Sequence, residues 1–266
     1  MKKSWLLRVW LVLGMAFLYI PMLTLVIYSF NSSDIVTLWG GWSFQWYSTL
    51  VNDSTILSAA WLSVRIGVLA STIAVVLGTM LAVAFNRYGP FKGRTLLYGM
   101  AITPLMMPDV ITGLSLLLMF VSLQSMIGWP VEQGFATILI AHTTFCIAYA
   151  VIVIQARLGG LDRTIEEAAM DLGARPIKTF FRITLPQIFP SLVVAWLLSF
   201  TLSIDDLVIT SFVSGPDTTT LPMYIYSTIR NNITPEINAL ATLLILFVLT
   251  ALLIGAGVAS RWRKDE

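Results

Sequence analysis

Six long apolar stretches, nearly free of charge, alternate with short polar or basic ones along the chain. A helix rises about 1.5 Å per residue, so roughly 20 apolar residues cross the hydrocarbon layer of a bilayer. The pattern predicts membrane-spanning helices over about 10–30, 66–85, 96–123, 135–156, 190–213 and 238–259. Lys2, Lys3 and Arg8 precede the first, as they would precede a secretory signal. That apolar run is too long for a signal core, and the Tyr28-Ser29-Phe30-Asn31 stretch has no small-residue cleavage site. It is expected to be a retained helix. Pro104, Pro108 and Asp109 interrupt the third span, which predicts a kinked helix inside a bundle, where neighbours satisfy the freed carbonyls. Residues 31–60 are polar and aromatic, and Trp39, Trp42, Trp46 and Tyr47 suit an interfacial belt or a docking surface for an outside partner. Gly89-Pro90 makes a bend, and Gly215-Pro216 and Pro222 mark a polar connection over 214–237. No internal repeat stands out. The fold class expected is an all-α integral membrane protein, one domain over 1–266.

Composition sharpens this. Hydrophobic residues make up 57% of the 266 and charged residues 11%, about half the usual charged share of soluble domains. The single cysteine, Cys146, excludes an internal disulfide and any multi-thiolate metal site, and the single histidine, His142, excludes a histidine cluster. Both are read as buried in helix interfaces. No Gly-x-x-x-x-Gly-Lys-Ser/Thr loop occurs, so ATP hydrolysis is not expected of this chain. No catalytic residue, metal site or cofactor is predicted, and nothing points to nucleic acid.

Basic residues fix an orientation. With both termini cytoplasmic, the inner segments hold Lys2, Lys3 and Arg8; Arg87, Lys92 and Arg94; Arg157, Arg163, Arg175, Lys178 and Arg182; and Arg261, Arg263 and Lys264. Of the 16 basic residues only Arg65 and Arg230 remain outside or at the outer edge, a strong positive-inside bias.

Three acidic residues are out of place in such a chain. Asp109, Asp205 and Asp206 fall within predicted spans, where a carboxylate costs a few kcal/mol unless it meets a partner or a wet path. Asp109 is about 20 Å from the start of its predicted helix at Leu96, and Asp205 about 22 Å beyond Pro190, so both reach the outer half of the bilayer. Arg65 is the one basic residue at that depth and could neutralise one of them. Asp205 and Asp206 could also lie beyond their helix end, in solvent. Neighbours on a helix point about 100° apart, so one of the pair faces a path while the other bonds to a helix end or loop. Thr201 is a local donor one turn earlier. Carboxylates lining a path would suit a cation, with Trp61, Tyr224 and Tyr226 as candidate cation–π faces. Paired aspartates also serve intramembrane proteolysis, and that reading stays open, as does a secondary transporter.

The segment Asp162–Pro186 is the longest charged stretch. Thr164 and Glu167 fit a capping box, Gly173 a helix stop, and Pro176 the first turn of a second helix. Ala168 and Ala169 would let another surface approach closely. The order Glu167-Ala168-Ala169, three residues, Gly173, nine residues, Ile183, one residue, Leu185-Pro186 resembles the EAA loop of binding-protein-dependent ABC importer permeases. The stretches Pro104–Ile111, Thr201–Asp206 and Pro235–Leu240 are similar to the spermidine/putrescine branch of that family. The resemblance implies the type I ABC importer permease fold: six transmembrane helices and a cytoplasmic coupling helix within 162–186. It implies that Glu167, Ala168, Ala169, Gly173, Leu185 and Pro186 contact an ATPase. It also implies a second homologous permease subunit, two ATP-binding subunits, an extracytoplasmic substrate-binding protein and a lipid surround in the bacterial inner membrane. The expected cargo is a polyamine. Importers of ferric iron, aminoethylphosphonate and thiamine share the fold and remain alternatives.

Overall fold

A computed structural model describes residues 2–231 and 234–264. The acidic end of the expected inner tail, Asp265 and Glu266, lies outside the described residues. The fold is helical throughout, and an isolated bridge between Asn31 and Trp42 is the β pairing among the described residues. Six helices among them are long and apolar enough to cross a membrane. The chain falls into two compact units, Met1–Ser58 with Tyr224–Leu249, and Ala59–Met223 with Thr250–Glu266.

The first unit starts with α1 (Lys2–Tyr28), whose side chains lie open along its apolar length. A loop folds back beyond it around buried Asn31, whose amide donates to the Leu38 carbonyl at 2.6 Å. Its side-chain oxygen accepts from the Gly40 N–H at 2.7 Å, and its own carbonyl takes the Trp46 indole N–H at 2.7 Å. Trp39 and Trp42 meet edge to face, and the Tyr47 hydroxyl bonds Ser29 Oγ at 2.7 Å. The expected aromatic belt is thus also a packed local knot. The helix α2 (Gln45–Asn52) follows, and Asp53 caps the start of α3 (Ser54–Arg87) through the Thr55 and Ile56 amides.

The second unit is built on α6 (Phe135–Gly159), which the chain reaches through α4 (Arg94–Met106) and α5 (Asp109–Ile127). Two clusters of buried side chains run along it. One joins α6 to α5 through Phe120, Ile138 and Phe145, and the other joins it to the C-terminal half of α3 and the later helices through Ala82, Ile154 and Ile188. Between helices in lipid there is little hydrophobic driving force, so close backbone approach has to supply the contact. On α3, Ala70, Ala74, Gly78 and Ala82 recur every fourth residue, all buried. A Cβ placed on Gly78 would stand 2.8 Å from the Ala150 Cβ and 3.2 Å from the Val151 backbone nitrogen.

Beyond α6 come α7 (Thr164–Asp171) and α8 (Pro176–Thr179), then a π-helical turn over Phe180–Thr184 and α9 (Leu185–Asp205). The short α10 (Val208–Val213), α11 (Leu221–Asn231) and α12 (Glu236–Lys264) complete the order.

Several expected boundaries move, each for a local reason. The second span is longer than 66–85, because the Asp53 cap starts the helix at Ser54. The third, expected as one kinked helix over 96–123, is two helices. Pro108 has no N–H to give and forces Met107 out of the helical region, to ψ 140°. The fifth span does not run to Val213; its helix stops at Asp205, with Asp206 extended at ψ 122°. At its other end it is continuous with α8 through the π turn, so a 30-residue helical rod runs from Pro176 to Asp205.

Gly78→Val should destabilise the purified permease by about 1–3 kcal/mol, because Ala150 and the α6 backbone leave no room for a branched side chain. Gly14→Val, where nothing lies within 4 Å of the added atom, should leave the thermal midpoint unchanged. Thermal unfolding in detergent checks both.

Candidate functional site: an elbow and an acidic corner

The elbow is α7, its turn and α8. The expected capping box at Thr164 and Glu167 does not form. Thr164 is already inside the helix, and the Asp162 carboxylate accepts from its N–H at 2.9 Å instead. An Asp two residues ahead reaches the free amide better than a Thr hydroxyl whose backbone is already helical. Backbone and side-chain hydrogen bonds from Thr164 hold the Asp162 carboxyl below its ordinary value of 3.8. The stop is as expected. Gly173 has φ 86°, a left-handed conformation that costs glycine nothing. The Gly173 N–H bonds the Met170 carbonyl at 2.9 Å and the Ala174 N–H bonds the Ala169 carbonyl at 3.0 Å, a complete Schellman closure. Pro176 then takes the first position of α8.

Glu166, which the sequence pattern did not single out, fastens the elbow to the bundle. One carboxylate oxygen bonds the Arg87 guanidinium at 2.8 Å and accepts from Thr184 Oγ1 at 2.8 Å. Arg163 donates to the Asn86 carbonyl. The end of α3, the elbow and the π turn are thereby tied at one point. A cleft of about 550 Å³ opens beside it, with Glu166, Glu167, Met170, Ile177 and Phe181 among its walls. Of the motif residues, Glu167, Ala168 and Gly173 are exposed, while Ala169, Leu185 and Pro186 are partly covered. Leu172 is 91% exposed, Ile177 73% and Phe181 60%. Apolar side chains thus stand clear of a charged segment that is itself tied down.

The acidic corner lies at the far end of the rod. Counted at the helical rise, Asp205 is about 45 Å from Pro176. The structure separates the three expected carboxylates. Asp109 is the first residue of its own helix, so it does not sit deep in a continuous span; it is exposed at the α5 N-terminus, where a negative charge is favoured. Asp205 ends α9 exposed, at the edge of an otherwise largely apolar groove of about 580 Å³ shared with Leu198, Thr201, Leu202 and Leu252. Asp206 turns inward, its side chain 9% exposed. Its carboxylate takes the Thr210 N–H at 2.8 Å, the Thr210 hydroxyl at 2.6 Å and the Ile209 N–H at 3.3 Å, closing the open start of α10. Asp206 is therefore the member of the pair that bonds to a helix end.

Two expected partners are elsewhere. Thr201 donates to the Leu197 carbonyl at 2.6 Å and not to Asp205. Arg65 pairs with no carboxylate among the described residues; its guanidinium lies over the Phe135 ring at 5.0 Å. His142 and Cys146 are both buried, as expected, but His142 does more than fill space. Nδ1 meets Ser203 Oγ at 2.7 Å, Nε2 meets Thr210 Oγ1 at 2.8 Å, and Asp206 Oδ2 stands 3.3 Å from Nε2. At the other end of α10, Thr137 Oγ1 donates to the Val213 carbonyl at 2.7 Å. The α10 helix packs on α5 where Gly113 leaves room: a Cβ there would lie 2.6 Å from the Phe212 ring. Nothing in the linear sequence joined a histidine 64 positions upstream to Asp206; only the break after Asp205 brings them together.

This architecture defines a class: a helical membrane permease with an exposed elbow joined by a continuous helical rod to polar groups within the bundle. Residues 74–262 match the family of binding-protein-dependent transport system inner membrane components, and the chain belongs to that family. It is 59% identical over 235 residues to the putrescine transport system permease protein PotI of Escherichia coli strain K12, covering 88% of this chain and 84% of that one. It is 39% identical over 254 residues to the spermidine/putrescine transport system permease protein PotC of Haemophilus influenzae, covering 96% of each. Among solved structures, a bacterial ABC transporter that imports alginate superposes with TM-score 0.73 at 19% identity, over 98% of this chain and 96% of that one. The MetNI methionine ABC transporter does so with TM-score 0.61 at 17% identity, over 83% and 99%. The fold is that of a type I ABC importer permease, and the sequence places the chain in the polyamine-permease branch.

Glu166→Ala leaves the Arg87 charge and the Thr184 hydroxyl without their shared acceptor. Amide exchange across residues 163–186 should then quicken roughly tenfold or more, as expected from the loss of charge-assisted bonds of about 1.5–3 kcal/mol, while exchange in α6 stays unchanged. Because the Asp162 carboxyl is held low, its cap is present above about pH 4 and is lost as pH falls through the depressed value. The protection of the first-turn amides of α7, relative to their unstructured exchange rate at the same pH, should therefore fall on acidification in the native chain and be independent of pH in Asp162→Asn.

Proposed function

We propose that this chain is the membrane permease subunit of an ATP-driven importer of putrescine and related polyamines, a single permease domain over 1–266. The observation that carries the reading is the 59% identity to a putrescine permease along 88% of the chain. Orientation follows the basic residues: both termini and the elbow face the cytoplasm. ATP is hydrolysed on separate subunits, and the elbow is their seat, with Glu167, Ala168, Ala169 and Gly173 at the contact and Leu185 and Pro186 where the rod begins. A second, homologous permease completes the path, and a soluble binding protein delivers substrate from outside. No cofactor is assigned to this chain.

Closure of the ATPase pair moves the elbow. The Glu166–Arg87 and Glu166–Thr184 bonds tie that movement to α3 and the rod, and the rod carries it to the corner at Asp205. The bundle alternates between two packings, as a coupled transporter requires, and does not open as a continuous pore. Asp205 and Asp109 offer acceptors to a passing ammonium, while Asp206 is engaged in holding the corner. The apolar groove beside Asp205 suits the methylene chain of an aliphatic amine.

Uptake of radiolabelled putrescine by cells expressing the full importer should fall at least tenfold in Asp205→Asn, with normal membrane insertion. Unlabelled putrescine and spermidine should compete in the native importer, and ferric iron, aminoethylphosphonate and thiamine should not. Competition by one of the latter alone would assign the other cargo. Gly173→Val forces a side chain into the left-handed conformation and should uncouple ATP hydrolysis from uptake; native coupling in that variant would remove the elbow from the mechanism.

A further inference from the structure

The His142 ring bridges two helices that a chain break separates. Ser203 belongs to α9 and Thr210 to α10, seven residues further on. Along an unbroken helix seven residues rise about 10.5 Å. A single imidazole with bonds of 2.7 and 2.8 Å from its two nitrogens spans less than that. The pair of bonds therefore exists only while the chain is folded back at Asp206–Leu207.

The bonds also have a direction. The Thr210 hydroxyl gives its proton to Asp206 Oδ2 at 2.6 Å, so its oxygen accepts from His142 Nε2–H. Nδ1 is then the acceptor, and Ser203 O–H donates to it. The result is one directed chain, Ser203 to His142 to Thr210 to Asp206, buried at every step and ending beside exposed Asp205. If the corner straightens, one bond of the ring is lost and a buried polar group is left bare.

We propose that His142 is a positioning residue: it gauges the α9–α10 corner and so sets where Asp205 is presented to substrate. The inference rests on the reading of Asp205 as a path residue, and it predicts an effect on substrate affinity in preference to coupling. His142 itself touches no substrate. Its ring acts from α6, a helix buried against α3, α5 and α9 together.

The test uses the complete importer in proteoliposomes, with labelled putrescine outside and ATP inside. His142→Ala and Thr210→Val should each raise the half-saturating putrescine concentration about tenfold, with the maximal rate within twofold of native. The double variant should be no worse than either single one, because both cut the same chain of bonds. His142→Gln, whose amide N–H can replace Nε2–H toward Thr210, should recover most of the affinity, whereas His142→Asn, too short to reach it, should not. Indistinguishable Ala, Gln and Asn variants would overturn the proposal, as would a loss of maximal rate at unchanged half-saturation. Asp205→Asn is measured alongside. If it transports with native half-saturation, the path reading fails; if it is impaired while the His142 variants are native, the positioning role alone fails.

Discussion

A polypeptide in hydrocarbon has no water to take up freed amides and carbonyls, so every break in a spanning helix must be repaired by the protein itself. This constraint explains where the unusual polar residues of the chain are found. The break after Asp205 frees the first amides of α10, and the Asp206 carboxylate closes them. Thr210 then needs a donor and Asp206 a neighbour, and His142 supplies both from α6. At the other break Pro108 removes one donor outright, and Asp109 adds a negative charge at the exposed start of α5. What reads in the sequence as an expensive set of intramembrane charges is in part the repair of broken helices, leaving Asp205 and Asp109 open.

The same logic divides the rigid parts from the movable ones. The α6 helix is enclosed by small residues on α3 and by buried side chains of α5 and α9, so it serves as the frame. The rod from Pro176 to Asp205 is unbroken, with one π turn near its base, and the elbow is fastened to that base through Glu166. A continuous helical path thus joins the elbow to the acidic corner. Packed helices are not continuously deformable, which favours two discrete arrangements over a gradual one.

Much of this could be read from the chain before any coordinates. Apolar runs of spanning length, the Gly173 stop and the Pro176 start depend on local geometry, and local geometry is written in neighbouring residues. The length of the third and fifth spans was not legible, since apolar runs resume on the far side of Met107–Pro108 and Asp206–Leu207 while the helix does not continue through them. The cap at Asp162 was misplaced onto Thr164 because both residue types cap helices and only the start of α7 decides between them. Glu166 and His142 could not be assigned because their partners lie 79 and 61–68 positions away. The four-residue rhythm of Ala70, Ala74, Gly78 and Ala82 was there to be seen and signals the α3–α6 contact.

On the proposed function, the elbow is where this membrane chain receives its energy. Cys146 is the chain's one cysteine and is buried, so a reactive cysteine in place of exposed Ala168 would report its own surroundings alone. Cross-linking that site in the assembled importer should yield a covalent adduct with the ATP-hydrolysing subunit, and ATP should change its yield. An assembled, transporting complex in which Ala168→Cys forms no adduct with that subunit would contradict the account.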